Sequence, residues 1–173
     1  VKLVAFCAVL LLILLVVTCA PLFAIVPPMA VYGVSSPVGY RVKPMGGGEE
    51  ALHRGADLVG PKGAAVMAAA PGVVVEHWLV PGWHGGKLYS GHPVYGGMVL
   101  ISHGGGVYTL YGHLGATYVH EGMRVEAGRV IGRQGSTGMA TGEHLHFELI
   151  ANPLLFFGSP LGMDSRARKE LLR

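Results

Sequence analysis

Beyond residue 19 the sequence contains no cysteine; the two it has, Cys7 and Cys19, both lie in an apolar N-terminal run. The rest of the chain therefore offers no disulfide, no thiolate nucleophile and no sulfur ligand. Any metal it binds must be held by imidazole and carboxylate. Charge is scarce as well, with Asp, Glu, Lys and Arg making up 13% of the residues and a formal net charge of +3. No stripe of Lys and Arg is present to follow a phosphate backbone, which argues against nucleic acid as the main partner. Internal repeats are absent too.

What the sequence does have is glycine, at 28 residues, and histidine, at nine, in a chain of 173. That length favours one domain, long enough to bury a core without covalent staples. From Leu3 to Val26 every residue is apolar or small except Thr18, with Pro21 the only strong breaker. About 20 such residues span a bilayer, and the run has no polar face, so a buried core helix is the poorer account. Lys2 gives it a positive start, and no clean small-x-small cleavage site follows. Residues 1–26 are thus expected to be a transmembrane anchor or signal segment, with a retained anchor favoured. Residues 27–33 read as a linker, 34–163 as the domain, and 164–173 as a basic tail.

Within the domain, short apolar runs alternate with turn residues. Gly72–Glu76, Gly97–Ser102, Gly106–Tyr111, Arg129–Gly132 and His144–Ile150 are rich in β-branched and aromatic side chains. This pattern predicts a mainly β domain built on an antiparallel sheet. The stretch from Glu76 to Gly97 differs, carrying His77, Trp78, Trp83, His84, Tyr89, His92 and Tyr95 among glycines. It is too long for a hairpin loop, and either the wall of a groove or a cap on the sheet would account for it.

Three histidine patterns carry chemistry. His53-Arg-Gly-Ala-Asp57 places an imidazole four residues before a carboxylate, with Gly55 arguing for a loop entering a strand. Read alone, an exposed histidine beside a solvated aspartate explains it. His144-Leu-His146-Phe-Glu148 is an H-x-H in a strand, where residues two apart share a face. Both imidazoles then project to one place, while Leu145 and Phe147 pack on the other side. A metal, a shared proton or an exposed face must accommodate them. His113 ends the run Tyr108-Thr-Leu-Tyr-Gly-His and, taken singly, is better read as structural. Together these residues could supply the two His and one carboxylate of a catalytic zinc site, which keeps one position open for water.

The order of Ser36-Pro-Val-Gly-Tyr-Arg41, H-R-G-A-D, A-A-A-P-G-V-V-V, Y-T-L-Y-G-H-L, G-S-T-G and H-L-H-F-E resembles the lysostaphin/LytM-type zinc endopeptidases, from about Ser35 to Ile150. The resemblance implies one Zn2+ held by His53, Asp57 and His146. It implies that His113 and His144 flank the attacking water as general base and electrostatic stabiliser. It also implies a LytM-type domain acting on peptidoglycan peptides, cutting cross-links or stem peptides. With no H-E-x-x-H present, a glutamate base is not expected. Glu148 is open between an outer partner of the metal histidine and a plain sheet-surface carboxylate. His103 reads as a structural turn histidine and His120 as an exposed one. The alternative is an inactive LytM-like domain that binds cell wall or activates another murein hydrolase, although such relatives usually lose metal ligands. A closed structural zinc is disfavoured, since it takes four ligands, often cysteine. Peptidoglycan as substrate places the domain in the bacterial cell envelope, outside the cytoplasm. Residues 3–26 would hold it to the membrane, or it would be secreted if they are cleaved.

Overall fold

A computed structural model of the chain describes residues 24–44 and 47–151. The expected N-terminal segment up to residue 23 and the basic tail at 164–173 lie outside the described residues. Fourteen strands and no helix make up the described part: β1 (Gly33–Ser36), β2 (Gly39–Val42), β3 (Glu50–His53), β4 (Ala56–Val59), β5 (Ala65–Met67), β6 (Gly72–Trp78) and β7 (Gly82–His84), then β8 (Lys87–Tyr89), β9 (Gly97–Ser102), β10 (Val107–Leu114), β11 (Ala116–Thr117), β12 (Arg124–Val125), β13 (Val130–Arg133) and β14 (Leu145–Ala151). All pairings are antiparallel, as the alternation of short apolar runs and turns predicts.

Seven strands form the main sheet in the order β1-β4-β14-β10-β9-β6-β12. Its central strands are covered on both faces, so β9 and β10 are nearly continuous apolar runs. On one face Val99, Ile101, Tyr111 and Leu145 join Leu58, Val66 and Ile131, with Phe147 packed against them. The opposite face gathers Met98, Leu100, Tyr108, Leu110 and Tyr95. A smaller sheet, β11-β13-β5, lies beside the main one, and β2-β3 and β7-β8 are separate hairpins.

The stretch 27–33, expected as a linker, instead belongs to the body of the domain. Met29 is fully buried in the core, and β1 already begins at Gly33. The backbone explains this, because Val26 N donates to Ala69 O and Met67 N donates to Pro28 O. Burying a methionine side chain is worth about 1.5–3 kcal/mol, ample reason for this stretch to lie down.

The long connection from Glu76 to Gly97 divides into two parts. Its middle is the β7-β8 hairpin, which leaves Trp83 and Leu88 exposed. Its end returns inward, where Val94 lines the cleft described below and Tyr95 is buried beneath it.

Candidate metal centre and flanking histidines

Register brings the expected residues together. Asp57 on β4 lies directly opposite His146 on β14. His53 arrives from the end of β3, where it pairs with Gly39. The turn between His53 and Asp57 passes so close to β14 that a Cβ at Gly55 would lie 2.5 Å from Phe147 O and 2.8 Å from His146 Nε2. Only glycine fits this approach. The H-x-x-x-D spacing is therefore a strand end, a tight glycine turn and a strand start.

The three side chains are buried, and they aim one atom each at a common point. His53 Nε2 lies 3.0 Å from Asp57 Oδ1 and 3.1 Å from His146 Nδ1; His146 Nδ1 lies 2.9 Å from Asp57 Oδ1. Their outer atoms decide what those inner atoms are. His53 Nδ1 lies 2.9 Å from Pro37 O, which can only accept, so Nδ1 carries the proton and Nε2 presents a lone pair. His146 Nε2 lies 2.9 Å from Glu148 Oε1. Burial alone would raise the Glu148 carboxyl, but hydrogen bonds from His146 and Tyr95 hold it below the usual carboxylate range. An ionised Glu148 accepts from Nε2–H, so a neutral His146 ring presents Nδ1 as a second lone pair; burial favours that neutral form, while hydrogen bonds to Asp57 and Glu148 raise the ring's pKa. Arg41 takes Asp57 Oδ2 at 3.0 Å and leaves Oδ1 as the third inward atom.

Three electron-rich atoms at such separations repel one another unless a cation lies among them. One shared proton would serve only two of the three; a metal ion serves all three. The donor set of two imidazoles and a carboxylate is the type a catalytic zinc takes, and bonds of about 2.0–2.1 Å in a tetrahedron put donors about 3.3–3.4 Å apart. A small outward relaxation of the observed triangle reaches that spacing, so the residues fit the ion.

Two more imidazoles flank the triangle. His144 Nε2 lies 3.5 Å from Asp57 Oδ1, while its Nδ1 is 2.9 Å from Gly142 O. His113 Nδ1 is 2.8 Å from Thr137 O. In both, the carbonyl accepts from Nδ1–H and so sets the tautomer that a neutral ring takes. The two rings are 4.7 Å apart. Burial pushes His113 down to about 4, with the Thr137 carbonyl opposing and the neighbouring histidines adding to the shift. His113 also adopts a left-handed backbone, φ 61°, at an irregularity in the β9-β10 pairing. Such bulges re-aim a side chain, and this one takes a histidine at a strand end and brings it to the triangle.

The cleft above these residues has a volume of about 250 Å³ and is lined by Arg41, Lys43, Leu52, His53, Asp57, Val94, His113, Met139 and His144, among others. Its lining combines two cations and the ionisable groups of the site with apolar side chains.

Five histidines lie elsewhere, outside the lining of the cleft. His103 is buried between Pro71 O and Thr109 Oγ1, and His120 is exposed. His77 contacts Thr117 Oγ1, and His84 contacts Val80 O. His92 Nδ1 accepts from the backbone N–H groups of Val94 and Tyr95. Glu148 is no surface carboxylate: it is buried and serves as the partner of His146. In the sequence Arg41 stands out only as the close of the Ser36–Arg41 motif, and Tyr95 only as one aromatic of the 76–97 stretch.

Comparison with known proteins follows the same lines. The profile of Peptidase family M23 matches residues 51–154. The DD-carboxypeptidase/endopeptidase Mpg of Neisseria meningitidis serogroup B is 42% identical over 127 residues, covering 73% of this chain and 26% of that protein. The chain thus spans about a quarter of the length of this curated relative. A zinc-containing peptidase from Vibrio cholerae superposes with a TM-score of 0.58 at 29% identity, over 81% of this chain and 40% of that one. The catalytic domain of the antimicrobial peptidase lysostaphin from Staphylococcus simulans does so with 0.54 at 30% identity, over 70% and 82%. The chain belongs to peptidase family M23.

Proposed function

We propose that this chain is a zinc-dependent endopeptidase that hydrolyses peptide bonds of bacterial peptidoglycan. The observation that carries the reading is the convergence of three inward lone-pair atoms, from His53, Asp57 and His146, beside two further imidazoles whose tautomers are fixed. Zinc, when bound, supplies Lewis acidity toward water and the scissile carbonyl. The rest is the work of side chains. His113 and His144, both presenting Nε2, take a proton from the attacking water and return one to the leaving amine. The other ring, where it enters the reaction protonated from solvent, would donate Nε2–H to the oxygen that gains charge. Arg41 keeps Asp57 Oδ2 occupied, so that Oδ1 alone faces the triangle.

The assembly of all five side chains supports the peptidase over an inactive cell-wall-binding or activating domain. The substrate also carries a location with it. Peptidoglycan lies outside the cytoplasm, so the reading puts the domain on that side of the membrane, with residues 3–26 as its anchor. The likeness to the DD-carboxypeptidase/endopeptidase of Neisseria meningitidis supports peptidase activity for this chain.

The test is digestion of defined peptidoglycan with the full chain, with products identified by mass spectrometry. Cleavage that stops with a chelator and returns with zinc is the expected result. Undiminished cleavage by His146→Ala, at unchanged metal content, would overturn it.

A further inference from the structure

The side chain of Tyr95 reaches the metal triangle from the far end of the 76–97 connection. It is buried, and its hydroxyl donates to Glu148 Oε1 at 2.7 Å. The same oxygen accepts from His146 Nε2 at 2.9 Å. Its ring lies 5.4 Å from the His146 ring. Its backbone carbonyl accepts from His113 N at 2.7 Å, at the residue with the left-handed backbone. The approach depends on Gly112, where a Cβ would lie 3.0 Å from the Tyr95 ring and 3.5 Å from His146 Cβ. One residue therefore touches the support of a metal-facing histidine and the backbone of a flanking one.

We propose that Tyr95 and Glu148 form one positioning unit that sets the His146 donor atom and ties the 76–97 connection to metal affinity. The proposal rests on the reading of His53, Asp57 and His146 as a metal site. A buried carboxylate with two donors is held in a single orientation, and it in turn fixes the ring and tautomer of the histidine it accepts from. Without the Tyr95 hydroxyl, the carboxylate keeps one donor and more freedom to turn. The Tyr95 hydroxyl acts on His146 only through Glu148, so the effect of removing it must vanish where Glu148 is gone. A merely structural tyrosine would show no such dependence.

The test is zinc affinity of the full chain, measured by competition with a chromogenic chelator, for wild type, Glu148→Ala, Glu148→Gln, Tyr95→Phe and the Tyr95→Phe/Glu148→Ala double variant. Glu148→Ala is expected to weaken binding about 10- to 100-fold. Tyr95→Phe, which removes one hydrogen bond, should weaken it about 3- to 10-fold. Glu148→Gln keeps an acceptor and should recover part of what alanine loses. The double variant should bind no more weakly than Glu148→Ala alone. Zinc binding by Tyr95→Phe equal to wild type, or losses that multiply in the double variant, would overturn the unit while leaving the metal site intact. A wild-type chain that binds no zinc would overturn both readings together.

Discussion

Asp57 and His146 face each other across adjacent antiparallel strands, with Asp57 Oδ1 and His146 Nδ1 2.9 Å apart. Paired strands make this a rigid couple, and the third donor has only to be delivered to it. Loss of either member should therefore cost more than loss of an outer partner. Asp57→Ala and His146→Ala are each expected to lower zinc affinity by more than about 100-fold, above the range seen for outer partners. Elemental analysis after dialysis checks this directly. In wild type, zinc at 100 times its dissociation constant should stabilise the fold by about 2.7 kcal/mol, read as a rise in Tm that a chelator reverses.

Arg41 donates to Asp57 Oδ2 and, through its other terminal nitrogen, to Ser36 Oγ at 2.9 Å. This fork holds the carboxylate so that one oxygen is directed inward. Arg41→Met should weaken zinc binding about 10-fold, and Arg41→Lys should restore little, because an ammonium cannot reproduce the fork. Equal affinity for the arginine and methionine forms would show that Asp57 needs no such support.

Stability should fall in mild acid, with His103 as one cause. Burial lowers its pKa, with the Pro71 carbonyl opposing. Below the unfolded value of about 6.5 the unfolded chain binds a proton that the folded chain resists, so stability falls as pH drops from there toward the lowered folded value. His77 and His92 are shifted the same way, both chiefly by burial. Tm measured from pH 8 to pH 5 should decline, and His103→Gln should flatten part of that decline. Parallel curves for variant and wild type would remove His103 from the account.

Gly55→Ala tests the close passage beneath His53 and Asp57. Its Cβ would lie 2.8 Å from both Glu148 Cγ and His146 Nε2, and 2.5 Å from Phe147 O. A backbone carbonyl and a ring held by Glu148 cannot yield cheaply, so the variant should lose about 1–3 kcal/mol of stability. Thermal or urea unfolding reads that loss. Zinc affinity should fall with it, since the ring that must move is a donor.

Part of the cluster was legible in the sequence because its spacing has a local meaning, whereas the choice of His53, Asp57 and His146 as donors came only with the resemblance to the LytM-type endopeptidases. H-x-H shares a strand face by the two-residue period alone, and Leu145 and Phe147 do pack on the other side, the latter with its ring 5.4 Å from that of Tyr111. The antiparallel sheet was legible for the same reason, from apolar runs broken by turns. What supports the donors was not. Tyr95 and Glu148 are 53 residues apart, and only the order β14-β10-β9 brings them to one oxygen. Arg41 meets Asp57 through hairpin geometry that no spacing announces. The turn of His113 depends on a bulge, which a strand pattern ending in histidine does not reveal. Met29 left no periodic signal either, since it packs from a segment without regular structure.

His53 comes from β3, and β3 pairs only with β2, whereas Asp57 and His146 belong to the seven-stranded sheet. An ion held by all three would fasten a two-stranded flap to a rigid wall, at a point one turn from where the flap begins. Loading would then be felt as slowed hydrogen exchange along Tyr40–Arg41 and Ala51–Leu52, and unloading as the release of one bank of the cleft.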